Sequence, residues 1–374
     1  MAETTHAMTP RQRWLAALDM QAVDRLAFWP KLGGNYAQAQ KAPFRDMSLS
    51  QIHQWIGSDC HEGVGSGIAA AVEGWEVQSE QVEPGSGRII RRRYRGPGGV
   101  ELTSADQFDE ASGAWHPVEF PVKTPEDIDA MRDFHLARRV SLDEPSLAAA
   151  RKRQQEIGSA ASTMTGIGTS ALMDWVQHLA GVENAHFFLA DCPQRVEALF
   201  DAMHANLEAA AELAARHSPA DTLYLIENTS TTLISPAQYR RYCAGHIGRY
   251  AQIVRSHGKR LVLHMCGHLK DLLDQLAAVG ARAFEAYSRP PLGSASLAQG
   301  RAACPDVCFI GGTGAGLWLR PAEDIIAALE SDLAALPHHR GLVITSAGVM
   351  PPAATPEKIR QVCQWVQSYP ARMA

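Results

Sequence analysis

From about residue 146 to the end, short apolar runs alternate with longer stretches of helical periodicity. The runs at 222–226, 260–266, 283–286, 307–311 and 342–345 do not alternate apolar with polar positions. Strands apolar on both faces belong in a parallel sheet covered by helices. A small-residue stretch at 160–166 reads as a further strand and loop. Between and around these, 147–157, 172–179, 193–217, 235–257, 269–279, 297–303, 321–336 and 356–367 read as helices. Ser235-Pro236 opens one of them, and Gly258 and Gly280 close two. No Gly-x-Gly-x-x-Gly opens a helix after an early strand, and no phosphate loop appears, so the doubly wound nucleotide fold loses its main support. The pattern predicts an α/β fold, a single (β/α)8 TIM barrel, with residues 1–374 as one domain.

The first 146 residues are less regular. Thr9 before Pro10, followed by Trp14, Leu15, Leu18 and Met20, predicts an N-terminal helical segment. Residues 23–30 read as a first strand and 47–72 as one or two helices. Residues 75–82 alternate, Pro84-Gly85-Ser86-Gly87 reads as a turn, and 88–94 as a second, basic strand before a turn at 96–99. This predicts an antiparallel hairpin insertion near 75–104. Arg91–Arg93 suit a solvated strand face better than an anion grip.

Charge narrows the partners. With 35 basic and 40 acidic residues the net charge is −5, which points to no nucleic acid and no membrane surface. No apolar run approaches the roughly 18 residues of a membrane-spanning helix, and residues 1–11 lack the apolar centre of a secretory signal. Seven scattered cysteines, with no Cys-x-x-Cys, predict a reduced, cytoplasmic protein.

Candidate chemistry gathers where the strands end. In Leu261-Val262-Leu263-His264-Met265-Cys266-Gly267-His268, residues 264 and 266 share a strand face. They form either a soft pair for zinc or a buried His beside a small hydrophobe. Glu285 ends the next strand among apolar neighbours, where a carboxylate needs a metal or a hydrogen-bonding partner. Glu227 ends its own strand before a Ser/Thr-rich loop and is a candidate for substrate or water, with helix capping by that loop as the alternative. Gly311 and Gly312 begin a glycine-rich loop that would line a pocket or admit a cofactor. His268 would cap or open the following helix. His178, His186, His246 and His257 fall on helical stretches and read as surface residues, and His61 is a weaker metal candidate.

The segment Gly258-Lys259-Arg260-Leu261-Val262-Leu263-His264-Met265-Cys266-Gly267 resembles the His-x-Cys-Gly strand of the uroporphyrinogen decarboxylase superfamily. So do Leu233-Ile234-Ser235-Pro236 before it, Pro291-Leu292-Gly293 and Ile310-Gly311-Gly312 after it, and the loop with Ala354-Thr355-Pro356-Glu357-Lys358-Ile359. The resemblance covers residues 220–370 well and implies a (β/α)8 barrel. The decarboxylase branch carries an arginine-rich N-terminal motif that residues 28–36 lack. The resemblance therefore implies the other branch, zinc-dependent methyltransferases that exchange a methyl group with a corrinoid (cobalamin) protein. It implies zinc on His264, Cys266 and Glu285; Glu227 or His268 would then serve as proton donor to the leaving group. The late Cys of that branch is absent: Ser346-Ala347-Gly348-Val349 stands in its place. The expectation is methyl transfer between a small methylated substrate, such as a methyl ether, and a corrinoid carried by a partner protein, with zinc as Lewis acid. The alternatives are a decarboxylase acting on a polycarboxylate such as a porphyrinogen, through Arg91–Arg93 or Arg289, or a non-catalytic barrel subunit. A homodimer stays open as the assembly.

Overall fold

The computed structural model describes residues 7–33, 35–83, 87–110 and 114–374. The expected turn at 84–87 lies, but for Gly87, outside the described residues, as does Gly34 of the loop after the first strand. Eight parallel strands form one sheet: β1 (Ala27–Trp29), β2 (Cys60–Gly63), β3 (Ala161–Gly168), β4 (Thr222–Ile226), β5 (Arg260–His264), β6 (Ala283–Tyr287), β7 (Cys308–Thr313) and β8 (Leu342–Ser346). Each of β2 to β8 pairs with its neighbour in sequence, and β8 returns to pair with β1. Between β1 and β2 no ladder forms among the described residues. The Asp59 amide instead donates to the Phe28 carbonyl at 2.8 Å, and the Asp59 carboxylate accepts from the Phe28 amide at 3.1 Å. The result is a nearly closed barrel wrapped by helices.

The interior is filled at period two. Ala27 and Trp29, Tyr224, Val262, Ala283, Cys308 and Ile310, and Val343 point inward as one cluster. The N-terminal helix Pro10–Leu18 plugs one end with Trp14, Ala17 and Leu18, all fully buried. It starts in a capping box on Thr9 and Gln12. Ion pairs tie this region to the strand starts: Arg13 and Arg25 meet Asp59 at 2.5 and 2.7 Å, Asp19 meets Arg260, and Arg11 meets Asp221 at 2.7 Å. With the N-terminal ends of the strands sealed, the C-terminal ends form the open mouth.

Three segments depart from the sequence expectations. Residues 47–72 hold one helix, Leu49–Ile56, followed by β2 and by strand Ile68–Val72. Cys60-His61-Glu62-Gly63, expected within a helix, forms β2 instead: His61 faces the interior, stacked on Trp14 at 4.4 Å with its Nδ1 on the Ser162 hydroxyl at 2.6 Å. The insertion is larger than a hairpin. Strands Glu76–Val82, Ile89–Arg95, Glu101–Asp109 and Ala114–Glu119 make a four-stranded antiparallel sheet. A helix, Pro125–Ala137, and a ribbon pairing Ile68–Val72 with Arg138–Leu142 join that sheet to the barrel. The helix expected over 235–257 divides at Cys243 into Pro236–Tyr242 and Ala244–Ser256. No helix among the described residues is long and apolar enough to cross a membrane.

Candidate active site at the barrel mouth

Parity and register assemble the centre of the site. Val262 and Ala283 face the interior, so two residues on, His264 and Glu285 do as well. The parallel ladder of β5 and β6 pairs residue 264 directly with residue 285. The imidazole Nδ1 and one carboxylate oxygen of Glu285 consequently meet in a close hydrogen bond. A third group arrives from β1: the Lys31 ammonium donates to the other carboxylate oxygen at 2.9 Å. Ala286 in the left-handed region (φ +63°) marks a register shift in the β6–β7 ladder immediately after Glu285.

Glu285 is only 1% exposed. Burial alone would raise its pKa, but the hydrogen bond to His264 and the positive charge of Lys31 outweigh it and hold the carboxyl at about 2. His264 is the mirror case. Burial works against its charge, while interactions with Cys266 and Glu285 carry its pKa up to about 9. At neutral pH the cluster therefore holds two cations and one anion, a net positive charge at the floor of the mouth.

Cys266 lies beyond the end of β5, half-buried, and its thiol donates to the Asn228 side-chain carbonyl at 3.4 Å. Asn228 takes a left-handed conformation (φ +48°), which an asparagine tolerates. Its amide donates to Gln177 at 2.7 Å. Gly267 follows because the 229–230 loop passes so close: a Cβ there would sit 2.3 Å from that of Ser230 and 2.5 Å from the Thr229 carbonyl. The next residue, His268, is fixed by its backbone, its amide donating to the Ser230 hydroxyl at 3.0 Å and its carbonyl accepting from Thr231 at 2.9 Å.

Glu227 stands apart from this cluster. Tyr224 faces the interior, so Glu227, three residues on, has the opposite parity. Its carboxylate is fully buried against the start of helix Ala171–Asp174, where the Ser170 amide and hydroxyl donate to it at 2.7 and 2.6 Å. Burial raises its pKa to about 7 despite those two hydrogen bonds. Gly311 and Gly312 lie within β7 and are buried; a Cβ at Gly311 would fall 2.0 Å from the Tyr287 carbonyl oxygen, so this glycine serves the packing of β7 on β6. The helical histidines are also less free than expected. His186 Nε2 bonds the Leu233 carbonyl at 2.8 Å, and His246 stacks on His204 at 3.9 Å.

Sequence reasoning missed Lys31 and Gln177, and took Asn228 only as the first residue of the polar loop after Glu227. Lys31 was within reach of the strand-end rule, because it follows Trp29-Pro30 directly after β1. Gln177 was not, because it sits in a π-helical turn, Trp175–Leu179, that the local sequence does not announce.

His264, Cys266 and Glu285 supply an imidazole, a thiol and a carboxylate, the donor types that zinc takes. As arranged here, the thiol is engaged with Asn228 and the carboxylate with His264 and Lys31. Among the described residues no three His, Cys, Asp or Glu side chains are grouped to hold an ion.

A search of curated proteins finds no match. Among solved structures, a methyltransferase from Methanosarcina mazei superimposes with a TM-score of 0.60 at 13% identity, covering 96% of this chain and 98% of that one. A protein from Listeria monocytogenes, assigned as a vitamin-B12-independent methionine synthase, aligns over 92% of this chain and 96% of its own at 11% identity and a TM-score of 0.41. The first of these likenesses supports the barrel fold. The family model for uroporphyrinogen decarboxylase (URO-D) matches residues 109–369, and the chain belongs to that family.

Proposed function

We propose that this chain is an enzyme that transfers a methyl group from a small methylated compound, of which a methyl ether is one form, to a corrinoid acceptor carried by a separate protein. The observation that carries the reading is the convergence of Lys31, Glu285 and His264, with Cys266 beside them, at the open end of the barrel. Removing a methyl group from an ether oxygen leaves an anion. The protonated His264 and the Lys31 ammonium provide positive charge where that anion would form, and His264 carries a proton for it. Glu285 holds both cations in place. The solved methyltransferase that shares this fold over nearly its whole length supports the same reaction class.

Zinc belongs to this reading as a proposal. Its ligands would be His264, Cys266 and Glu285; binding would displace the His264 proton, and zinc would then stand in for that proton as the Lewis acid for the leaving group. His268, next to Gly267, remains the second candidate proton donor. Glu227 is the weaker one, since Ser170 already engages both its oxygens. Three of the four cations the decarboxylase alternative would use are already paired: Arg92 with Asp106, Arg93 with Glu101, and Arg289 with Asp332 at 2.9 Å.

The test is methyl transfer from an aryl methyl ether to reduced corrinoid protein, run alongside metal analysis of the purified chain. Activity that falls about a hundredfold or more in His264→Ala, with about one zinc per chain lost in both His264→Ala and Cys266→Ala, is the expected result. Absence of methyl transfer across ether, thioether and amine donors overturns the reading.

A further inference from the structure

Where the ribbon of Ile68–Val72 and Arg138–Leu142 passes the C-terminal end of β3, a cavity of about 230 Å3 opens between the insertion and the barrel. Ile68, Val140, Ile167, Met203 and Leu207 supply an aliphatic part of its wall, and Ser66, Thr169 and Asn206 a neutral polar part. Two further polar groups on it lack partners. His135 is 8% exposed, and its Nδ1 is buried without a hydrogen-bond partner. Arg138, half-buried, has its Nε in the same condition, and its guanidinium pairs with no carboxylate among the described residues. The one acid on the wall, Asp174, is engaged by His178 at 2.9 Å. His135, Arg138 and Asp174 also line an adjoining cleft of about 420 Å3 on the side of the four-stranded sheet.

Buried polar groups without partners are uncommon and costly, so two at one cavity point to something that satisfies them. A guanidinium with unused N–H groups matches a planar carboxylate better than any other common anion of one charge. An aliphatic patch beside convergent polar groups suits an amphipathic small molecule. A hydrated inorganic ion would leave the aliphatic patch unused and would lose part of its water shell against it.

We propose that this cavity binds a small apolar carboxylate, with the carboxylate on the Arg138 guanidinium and His135 Nδ1 and the hydrocarbon part among the aliphatic side chains. The site uses none of the residues that carry the chemistry at the centre of the mouth.

Calorimetric titration of the full chain with benzoate, and separately with inorganic phosphate, tests it. The expected result is saturable one-to-one binding of benzoate, with phosphate at least tenfold weaker. Benzoate affinity should fall at least tenfold in Arg138→Gln. It should fall comparably in Ala210→Phe, which fills the cavity from helix Pro193–His217 without altering the guanidinium, so a folding defect in one variant leaves the other to decide. No saturable benzoate binding by the wild type, unchanged affinity in either folded variant, or phosphate as tight as benzoate overturns the proposal. None of these outcomes bears on methyl transfer, which is read through His264→Ala.

Discussion

Glu285 shows how a fully buried carboxylate stays charged when two cations close on it, and its pKa carries a stability consequence. Its folded pKa, about 2, lies below the ordinary 4.5, so its contribution is present above pH 4.5 and lost as pH falls through 2. His264 is raised from 6.5 to about 9, so its contribution is complete below pH 6.5 and lost as pH rises through 9. Both are complete only between pH 4.5 and 6.5. Urea denaturation in chelator-treated buffer should therefore show His264→Ala least stable relative to wild type in that window, with the gap closing by pH 10; a gap that does not change with pH would contradict the ion pair. Glu227 behaves in the opposite way for an acid. Its pKa is raised from 4.5 to about 7, so the stability it provides is complete below pH 4.5 and lost as pH rises through 7. Glu227→Gln should gain on wild type between pH 5 and pH 8, and parallel profiles would show that Glu227 holds no proton. The pair His264 and Glu285 was legible in the sequence because both end apolar strands. The direction of Glu227 was legible too, through its parity against Tyr224, but strand ends alone did not reveal it.

At the scale of elements, the loop crossing at Gly267 is the sharpest constraint on the site. A methyl group there would press on the backbone of the 229–230 loop, which also fixes His268. Gly267→Ala should cost about 1–3 kcal/mol in thermal or urea denaturation, the usual range for overpacking. A neutral result would mean that the loop yields. Runs of apolar residues made β4 to β8 and their helices readable, because strands buried on both faces admit little else. β2 escaped because its inward residue, His61, is polar and finds its partners in Trp14 and Ser162, which lie far away in sequence. The strands Glu101–Asp109 and Ala114–Glu119 escaped for another reason. They carry many polar residues, and only their pairing with Ile89–Arg95 and with each other makes them strands. The break at Cys243 is flanked only by Gly245, inside the second helix, and no proline marks it.

Across the whole molecule, Asp59 joins the sealed end of the barrel to its seam. It is fully buried, neutralises Arg13 and Arg25, and accepts from the Phe28 amide where β1 and β2 come together. Asp59→Asn leaves Arg13 buried beside a neutral amide and should cost about 3–5 kcal/mol, the range for breaking a buried ion pair, as read by equilibrium denaturation. A loss under about 1 kcal/mol would show that Asp24, the other partner of Arg13, suffices. The ring order has one more consequence. β1 and the helix before it are made well before β8, yet among the described residues the only ladder that β1 joins is with β8, completed at Ser346. Until then Trp14 and Phe28 have no finished wall to pack against. The nascent chain thus carries an unsheltered apolar segment until β8 is made, and a ribosome stalled before residue 342 would release a chain whose β1 lacks its partner.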